Sequence, residues 1–254
     1  METLDLTSVA RADLALFLDI DGTLIEHQSH PTGAKPDSEL LDLLQGAHRQ
    51  LGGALALVTG RSIEMVDAMF EPLELPVAGI YGLEHRLRPG EPATYAAEPP
   101  DLAAVADALH QEFHTVEGIY FERKGPVLAV HTRAAPAAFA SVKQAAEAAL
   151  SRLSEGYRIV AGNAGLEFVP IDALKSAAIH RFLGIAPFAG RRPVFFGDDI
   201  SDESGFEFVN AHGGISVRVA PKGTTAASFV VNTVAEVRRL LHAIAYPKSP
   251  TSPR

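Results

Sequence analysis

Asp19 and Asp21 stand one residue apart at the end of an apolar run, in the segment Leu16–Ile25, with Gly22 immediately after them. Aspartate is among the residues least suited to a pleated strand, so two of them here need a reason other than packing. In a mostly parallel α/β sheet, ligands bind beyond the carboxyl ends of the strands, where both side chains would emerge. Carboxylates so close repel unless positive charge lies beside them, and a hard cation such as Mg²⁺ meets that need. In phosphoryl transfer one aspartate can attack phosphorus while a second passes protons to and from the departing and attacking oxygens. The plainer alternatives are a pair of capping aspartates or a Ca²⁺ loop. A Ca²⁺ loop would continue with further acids and a Glu at its twelfth position, a spacing that does not follow Asp19.

Three more groups carry the same chemistry. Thr59-Gly60-Arg61-Ser62 marks a strand-to-helix turn whose hydroxyl and N–H groups can hold a phosphate, although a Thr-Gly turn with a Ser cap is also a common structural device. Lys175 falls in the first turn of an expected helix, where it opposes the helix dipole; a bound anion explains it better than helix stability does, with a solvated surface lysine as the alternative. Gly197-Asp198-Asp199-Ile200-Ser201-Asp202 is a second acidic strand end. Asp198 and Asp199, with Asp202 one turn on, can complete an oxygen-ligand Mg²⁺ site shared with Asp19, while Ser201 or Asp202 can equally serve as a helix cap.

The elements that must position these groups follow from periodicity and punctuation. Residues 14–18 read as a strand feeding a loop rich in His, Ser, Pro and Gly. Asp37 caps a helix carrying Leu40, Leu41, Leu43 and Leu44, which Gly52-Gly53 ends before a strand at 54–58. A helix through Phe70 and a strand at 77–81 complete a β-α-β-α-β alternation, the mark of a parallel sheet with helices on its faces. The middle of the chain differs. A helix at 102–114 precedes strands at 118–123 and 127–132, then an alanine-rich helix at 136–153 and strands at 157–161 and 166–169 around Gly162-Asn163-Ala164-Gly165. Two hairpins with a helix between them do not continue a parallel sheet. From Asp172 the alternation resumes, with helices at 174–183, 201–210 and 234–245 and strands at 193–196 and 215–219; the tail 248–254 is expected to fray. The expected architecture is α/β, a doubly wound, mostly parallel Rossmann-like core (1–103 and 171–254) with an inserted α+β cap at 104–170.

Composition narrows the classes. The 254 residues exceed the roughly 150 of a typical domain and can bury a sizeable core. With 47% hydrophobic and 21% charged residues the chain is of ordinary globular type. The net charge of −9 disfavours nucleic acid as a partner. No apolar run approaches the ~18 residues of a membrane span, and residues 1–13 lack the basic start and apolar stretch of a secretory signal, so a cytoplasmic location is expected. With no cysteine in the chain, disulfides, thiolate metal sites and thiol nucleophiles are excluded together.

The order and spacing of the four groups closely resemble the haloacid dehalogenase superfamily of phosphotransferases, through Asp19-Ile20-Asp21-Gly22-Thr23, Thr59, Lys175 and Gly197-Asp198-Asp199 with Asp202. The strings Tyr81-Gly82-Leu83-Glu84-His85-Arg86, Glu122-Arg123-Lys124-Gly125, Val130-His131-Thr132-Arg133 and Gly197–Glu203 narrow the likeness to trehalose-6-phosphate phosphatases. The resemblance implies Asp19 as nucleophile, Asp21 as general acid and base, and Thr59 and Lys175 as partners of the transferring phosphoryl group. It implies Mg²⁺ held by Asp19, the Asp21 backbone carbonyl, Asp198 and Asp199, and a phosphate site including Gly60 and Arg61. Glu122, Lys124 and Glu167 would hydrogen-bond the glucose unit remote from the phosphate. Asp21 is expected to stay protonated for the first step. Val169 before Pro170 and Ser176 after Lys175 depart from the family's usual residues there. The implied reaction is hydrolysis of trehalose 6-phosphate, a small sugar phosphate, with no nucleic acid or membrane partner. Another sugar phosphate, such as sucrose phosphate or a glycosyl-phosphoglycerate, and a silent sugar-phosphate binder remain open.

Overall fold

The structure, a computed structural model, describes residues 10–27, 35–153, 156–162, 165–221 and 223–247. The expected frayed tail, residues 28–34 of the loop after Asp21 and the turn at 163–164 lie outside them. Strand β1 (Leu14–Leu18) is buried along its whole length, as a central parallel strand covered on both faces must be. It pairs in parallel with β2 (Leu55–Val58) on one side and β9 (Arg192–Gly197) on the other. Beyond β2 come β3 (Val77–Gly79) and the antiparallel edge strand β4 (Glu84–Arg86); beyond β9 come β10 (Ile215–Val219) and β11 (Phe229–Val231). From β1 the chain winds outward through β2 and β3, then returns to build β9, β10 and β11 on the opposite side. The carboxyl end of β1 is therefore the topological switch point, where such sheets bind ligands.

The helices of this unit are set by caps and apolar faces. Helix α1 (Ser38–Gln50) starts where Asp37 Oδ1 accepts the Leu40 N–H at 2.8 Å, and it buries Leu40, Leu43, Leu44 and Ala47. Gly52 and Gly53 take φ of 59° and 90° to turn the chain into β2. Helix α2 (Ile63–Phe70) is capped by Ser62. Helices α5 (Lys175–Leu183), α6 (Glu203–Ala211) and α7 (Val234–Ala245) complete the layers. Helix α1 lies against α7 at Gly46, where a Cβ would come 2.9 Å from that of Ala245. Phe17 of β1 stacks on Phe188 at 5.6 Å between ring centroids, with Phe182 completing the aromatic cluster.

Three local features differ from the expected pattern. The strand expected at 77–81 ends at Gly79, because Ile80 and Tyr81 take φ of 45° and 57° and turn their N–H groups onto the Arg61 and Thr59 carbonyl oxygens. Strands β4 and β11 have no counterpart in the expected pattern; three residues are too few for alternation to register. The helix expected at 201–210 opens as a 3₁₀ turn at Ile200–Asp202 before α6 begins.

The second compact unit, Thr94–Ala173, holds α3 (Pro100–Phe113), β5 (Tyr120–Lys124), β6 (Val127–His131), α4 (Phe139–Leu150), β7 (Tyr157–Gly162) and β8 (Gly165–Pro170). Its start lies ten residues before the expected boundary at 104, since Leu102 is fully buried in its core together with Val105 and Leu109. The sheet is antiparallel in the order β5-β6-β8-β7. Leu128, Val130, Leu166 and Phe168 share a core with α3 and α4 residues including Val142 and Ala146. Period-2 alternation then puts Tyr120, Glu122, Lys124, Ala129, His131 and Glu167 together on the opposite face, in the register Tyr120↔His131, Glu122↔Ala129 and Ala129↔Glu167.

Candidate active site

The main-chain continuation of β1 carries Asp19, whose N–H donates to the Phe196 carbonyl of β9 at 3.0 Å. Asp19 as a whole is 5% exposed. Lys175, at the first position of α5 and 2% exposed, donates from Nζ to Asp19 Oδ1 at 2.7 Å and to Asp202 Oδ1 at 2.5 Å. Asp202 is fully buried and its Oδ2 accepts the Asp198 and Asp199 N–H groups at 2.9 and 2.8 Å. The lysine that opposes its own helix dipole is thus held by two carboxylates, 156 and 27 residues away.

The electrostatics are dominated by burial. Burial pushes the Asp19 carboxyl well up, against the pull of Lys175, and Asp202 and Asp198 push it further. Asp202 is likewise raised by burial despite Lys175. Burial works against the Lys175 ammonium, but Asp19 and Asp202 overcome it and leave its pKa raised. One oxygen each from Asp19, Asp198 and Asp202 lie within 4.8 Å of one another. Three carboxylates around one ammonium leave negative charge uncompensated, which suits a hard cation with oxygen ligands. Gly22 borders the same space: a Cβ there would fall 2.2 Å from Asp198 Oδ2, and its φ of 77° is one that glycine tolerates.

Of the residues expected to bind metal, Asp19 and Asp198 meet in this cluster, but Asp199 does not; Asp202 is the third acid. Asp199 instead stands at the N-cap of the Ile200–Asp202 turn, where its N–H donates to Asp202 Oδ2 at 2.8 Å and its carbonyl accepts the Asp202 N–H at 3.0 Å. Asp202 has one oxygen on Lys175 and the other on two N–H groups, so it positions the lysine and the acidic loop. Sequence reasoning missed two supports of that loop. Arg218 Nη1 donates to the Asp199 carbonyl at 2.7 Å and to Glu203 Oε1 at 2.8 Å. His27 Nε2 lies 2.8 Å from Asp198 Oδ2, and that hydrogen bond, opposed by burial, raises the imidazole pKa. The signal for Arg218 was present: an arginine inside the apolar strand 215–219 needs a buried partner.

The Thr59–Ser62 turn reaches the first motif through Arg61. Its Nε donates to Asp21 Oδ2 and its Nη2 to Asp21 Oδ1, both at 2.6 Å, a bidentate pair. Thr59 Oγ1 accepts the Arg61 N–H at 3.2 Å, so the hydroxyl hydrogen is free to turn elsewhere. Gly60 has no room for a side chain, since a Cβ would stand 2.8 Å from the Tyr81 ring. Behind the turn, Glu84 Oε2 accepts the Ile63 N–H at 2.8 Å at the start of α2, a support not anticipated from the sequence.

In the second unit Lys124 Nζ lies 3.2 Å from Glu167 Oε1 and 3.3 Å from Glu122 Oε2, so the three residues expected to bind sugar form one cluster. Burial lowers the Lys124 pKa, but the glutamates reverse it and leave it raised. Burial raises Glu122, but the His131 hydrogen bond and the Lys124 charge leave it below the usual range. His131, which sequence reasoning did not assign to the site, stands with Nε2 2.9 Å from Glu122 Oε2.

The doubly wound sheet with a separate antiparallel unit is a fold class that the chain shares with a haloacid dehalogenase-like hydrolase from Bacteroides thetaiotaomicron, at a TM-score of 0.66 and 16% identity. Within that class the profile of the trehalose-phosphatase family matches residues 17–234, and the chain belongs to that family. It is 39% identical over 220 residues to a probable trehalose-phosphate phosphatase of Sinorhizobium fredii, covering 85% of this chain and 83% of the relative. It is 37% identical over 240 residues to the trehalose-6-phosphate phosphatase of Escherichia coli, covering 93% and 88%. The C-terminal domain of the C. albicans trehalose-6-phosphate phosphatase shares the fold with a TM-score of 0.76 at 20% identity, covering 91% of each chain. The protein is a phosphatase, and the function expected from its motifs is the one its family carries.

Proposed function

We propose that this chain hydrolyses trehalose 6-phosphate to trehalose and phosphate through an aspartyl phosphate on Asp19, with Asp21 as general acid and then general base. The observation that carries the reading is the buried Asp19–Lys175–Asp202 bridge beside Asp198. Asp19 attacks phosphorus, the Asp19 O–P bond forming as the ester P–O bond breaks, and Asp21 gives its proton to the departing sugar oxygen. Asp21 then takes a proton from the water that attacks the aspartyl phosphate. Lys175 and the Thr59 hydroxyl balance charge on the phosphoryl oxygens.

The donor set fits Mg²⁺, which Asp19, Asp198 and the Asp21 backbone carbonyl would hold; when bound it would neutralise charge on the phosphate. Arg61 occupies both Asp21 oxygens, so an Asp21 that carries a proton must release one of them. A substrate phosphate is a matching partner for the guanidinium so released. Glu122, Lys124 and Glu167 suit vicinal sugar hydroxyls, which makes the Thr94–Ala173 unit the specificity cap. A small sugar phosphate is the partner in this reading and the cytoplasm its place, which cell fractionation checks.

The test is phosphate release from trehalose 6-phosphate, sucrose 6-phosphate, glucose 6-phosphate and mannosyl-phosphoglycerate, each with Mg²⁺ and with EDTA. EDTA-sensitive preference for trehalose 6-phosphate is the expected result. Preference for another sugar discards the sugar assignment of the second unit. No release from any, with ligand binding kept, makes the chain a silent binder.

A further inference from the structure

On the face of the β5-β6-β8-β7 sheet opposite α3 and α4, Tyr120 is 64% exposed although it lies within a strand. An aromatic ring left to solvent beside a polar cluster adds nothing to the core and is suited to a ligand. The ring is not loose. It stacks on His131 with centroids 5.7 Å apart and an interplanar angle of 26°, and His131 in turn is tied to Glu122 at 2.9 Å. Tyr120 and Glu122 are two residues apart on one strand, so their side chains leave the same face roughly 7 Å apart, about the breadth of a pyranose ring. A pyranose carries hydroxyls around its edge and C–H groups on its faces. Carboxylate and ammonium groups satisfy the edge; only a flat apolar partner satisfies a face.

We infer that Tyr120 and His131 complete the sugar site on this face: the Tyr120 ring covers one face of the glucose unit whose hydroxyls Glu122 and Lys124 bind, and His131 is the positioning residue that holds both Tyr120 and Glu122. The inference rests on the reading of Glu122, Lys124 and Glu167 as a sugar-binding cluster, and it adds a contact by area to contacts by hydrogen bond. The stacking and the carboxylate contact together engage the His131 imidazole on both sides, which fixes the rotamers of a site that must be preorganised.

The experiment compares trehalose 6-phosphate with p-nitrophenyl phosphate, which has no sugar, in wild type and in Tyr120→Ala, Tyr120→Phe and His131→Ala. Tyr120→Ala is expected to raise KM for trehalose 6-phosphate about tenfold with kcat within about twofold, and to leave p-nitrophenyl phosphate hydrolysis unchanged. Tyr120→Phe keeps the ring and is expected to behave as wild type. His131→Ala is expected to raise KM for trehalose 6-phosphate alone, and calorimetric binding of trehalose to weaken in parallel. Unchanged KM for trehalose 6-phosphate in Tyr120→Ala, or equal losses on both substrates, overturns the inference. If wild type itself shows no preference for trehalose 6-phosphate, the functional reading falls and the inference with it, an outcome distinct from failure of the Tyr120 variant alone.

Discussion

Arg61 grips both carboxylate oxygens of Asp21, 40 residues earlier in the chain, through two hydrogen bonds of 2.6 Å each. Only a planar fork reaches both oxygens at once, so Arg61→Lys should not rescue what Arg61→Ala loses. Both variants are expected to lose about 10²-fold in kcat, as for removal of one preorganised donor from a charged site. Steady-state kinetics on trehalose 6-phosphate check it, and a Lys variant with wild-type kcat would remove Arg61 from the chemistry.

Asp19→Asn should abolish turnover, by at least about 10³-fold, with circular dichroism and thermal unfolding preserved. The amide keeps the shape of the side chain and a hydrogen-bond acceptor for Lys175. Appreciable residual phosphate release would rule out Asp19 as the nucleophile.

Lys175→Met leaves the buried Asp19 and Asp202 carboxylates without their shared cation, which should cost about 3–5 kcal/mol in urea titrations with EDTA present. The pH dependence has a definite sign. Both acids have folded pKa values above their unfolded ones, so the folded state binds the extra protons and stability falls as pH rises from the ordinary carboxylate range through the folded values. The variant should therefore regain stability on acidification, whereas a pH-independent deficit would contradict the charge argument.

Gly22→Ala should weaken divalent-metal binding by at least about 10-fold in calorimetry, because its Cβ would intrude on Asp198 Oδ2 and its backbone would be strained. Asp198→Asn should do the same without strain. Asp199→Asn should bind metal nearly as wild type, since the cluster is formed by Asp19, Asp198 and Asp202 and the Asp199 carboxylate is not part of it.

In the second unit, Glu122 has a folded pKa below its unfolded one. Its contribution to stability is present above the ordinary carboxylate range of about pH 4.3 and is lost as pH falls through the lower folded value. Thermal unfolding of wild type and Glu122→Gln should converge on acidification below that range, and a gap that persists there would assign the effect to packing.

The sequence by itself determined the alternation of the core, the caps at Asp37 and Ser62, the two hairpins of the second unit and the identity of the four motifs. Each is a local matter: periodicity over one element, a turn residue, or a carboxylate where a strand would not tolerate one. It also determined the family, because the motifs come in an order and spacing that chance does not supply. Tertiary structure alone decided which acid joins which cation. Asp199 and Asp202 are both acids of one motif, and only the turn at 200–202 brings Asp202 onto Lys175 and the Asp198 and Asp199 N–H groups while leaving the Asp199 carboxylate outside the cluster. The partners Arg61–Asp21, Lys175–Asp19, Arg218–Asp199 and His131–Glu122 join different elements, and in the first three the residues lie at least 19 positions apart. Such pairs are set by strand order and register, which no local window contains. The same holds for the early end of β3, where Ile80 and Tyr81 turn back because Arg61 and Thr59 offer them carbonyl oxygens from a neighbouring strand end.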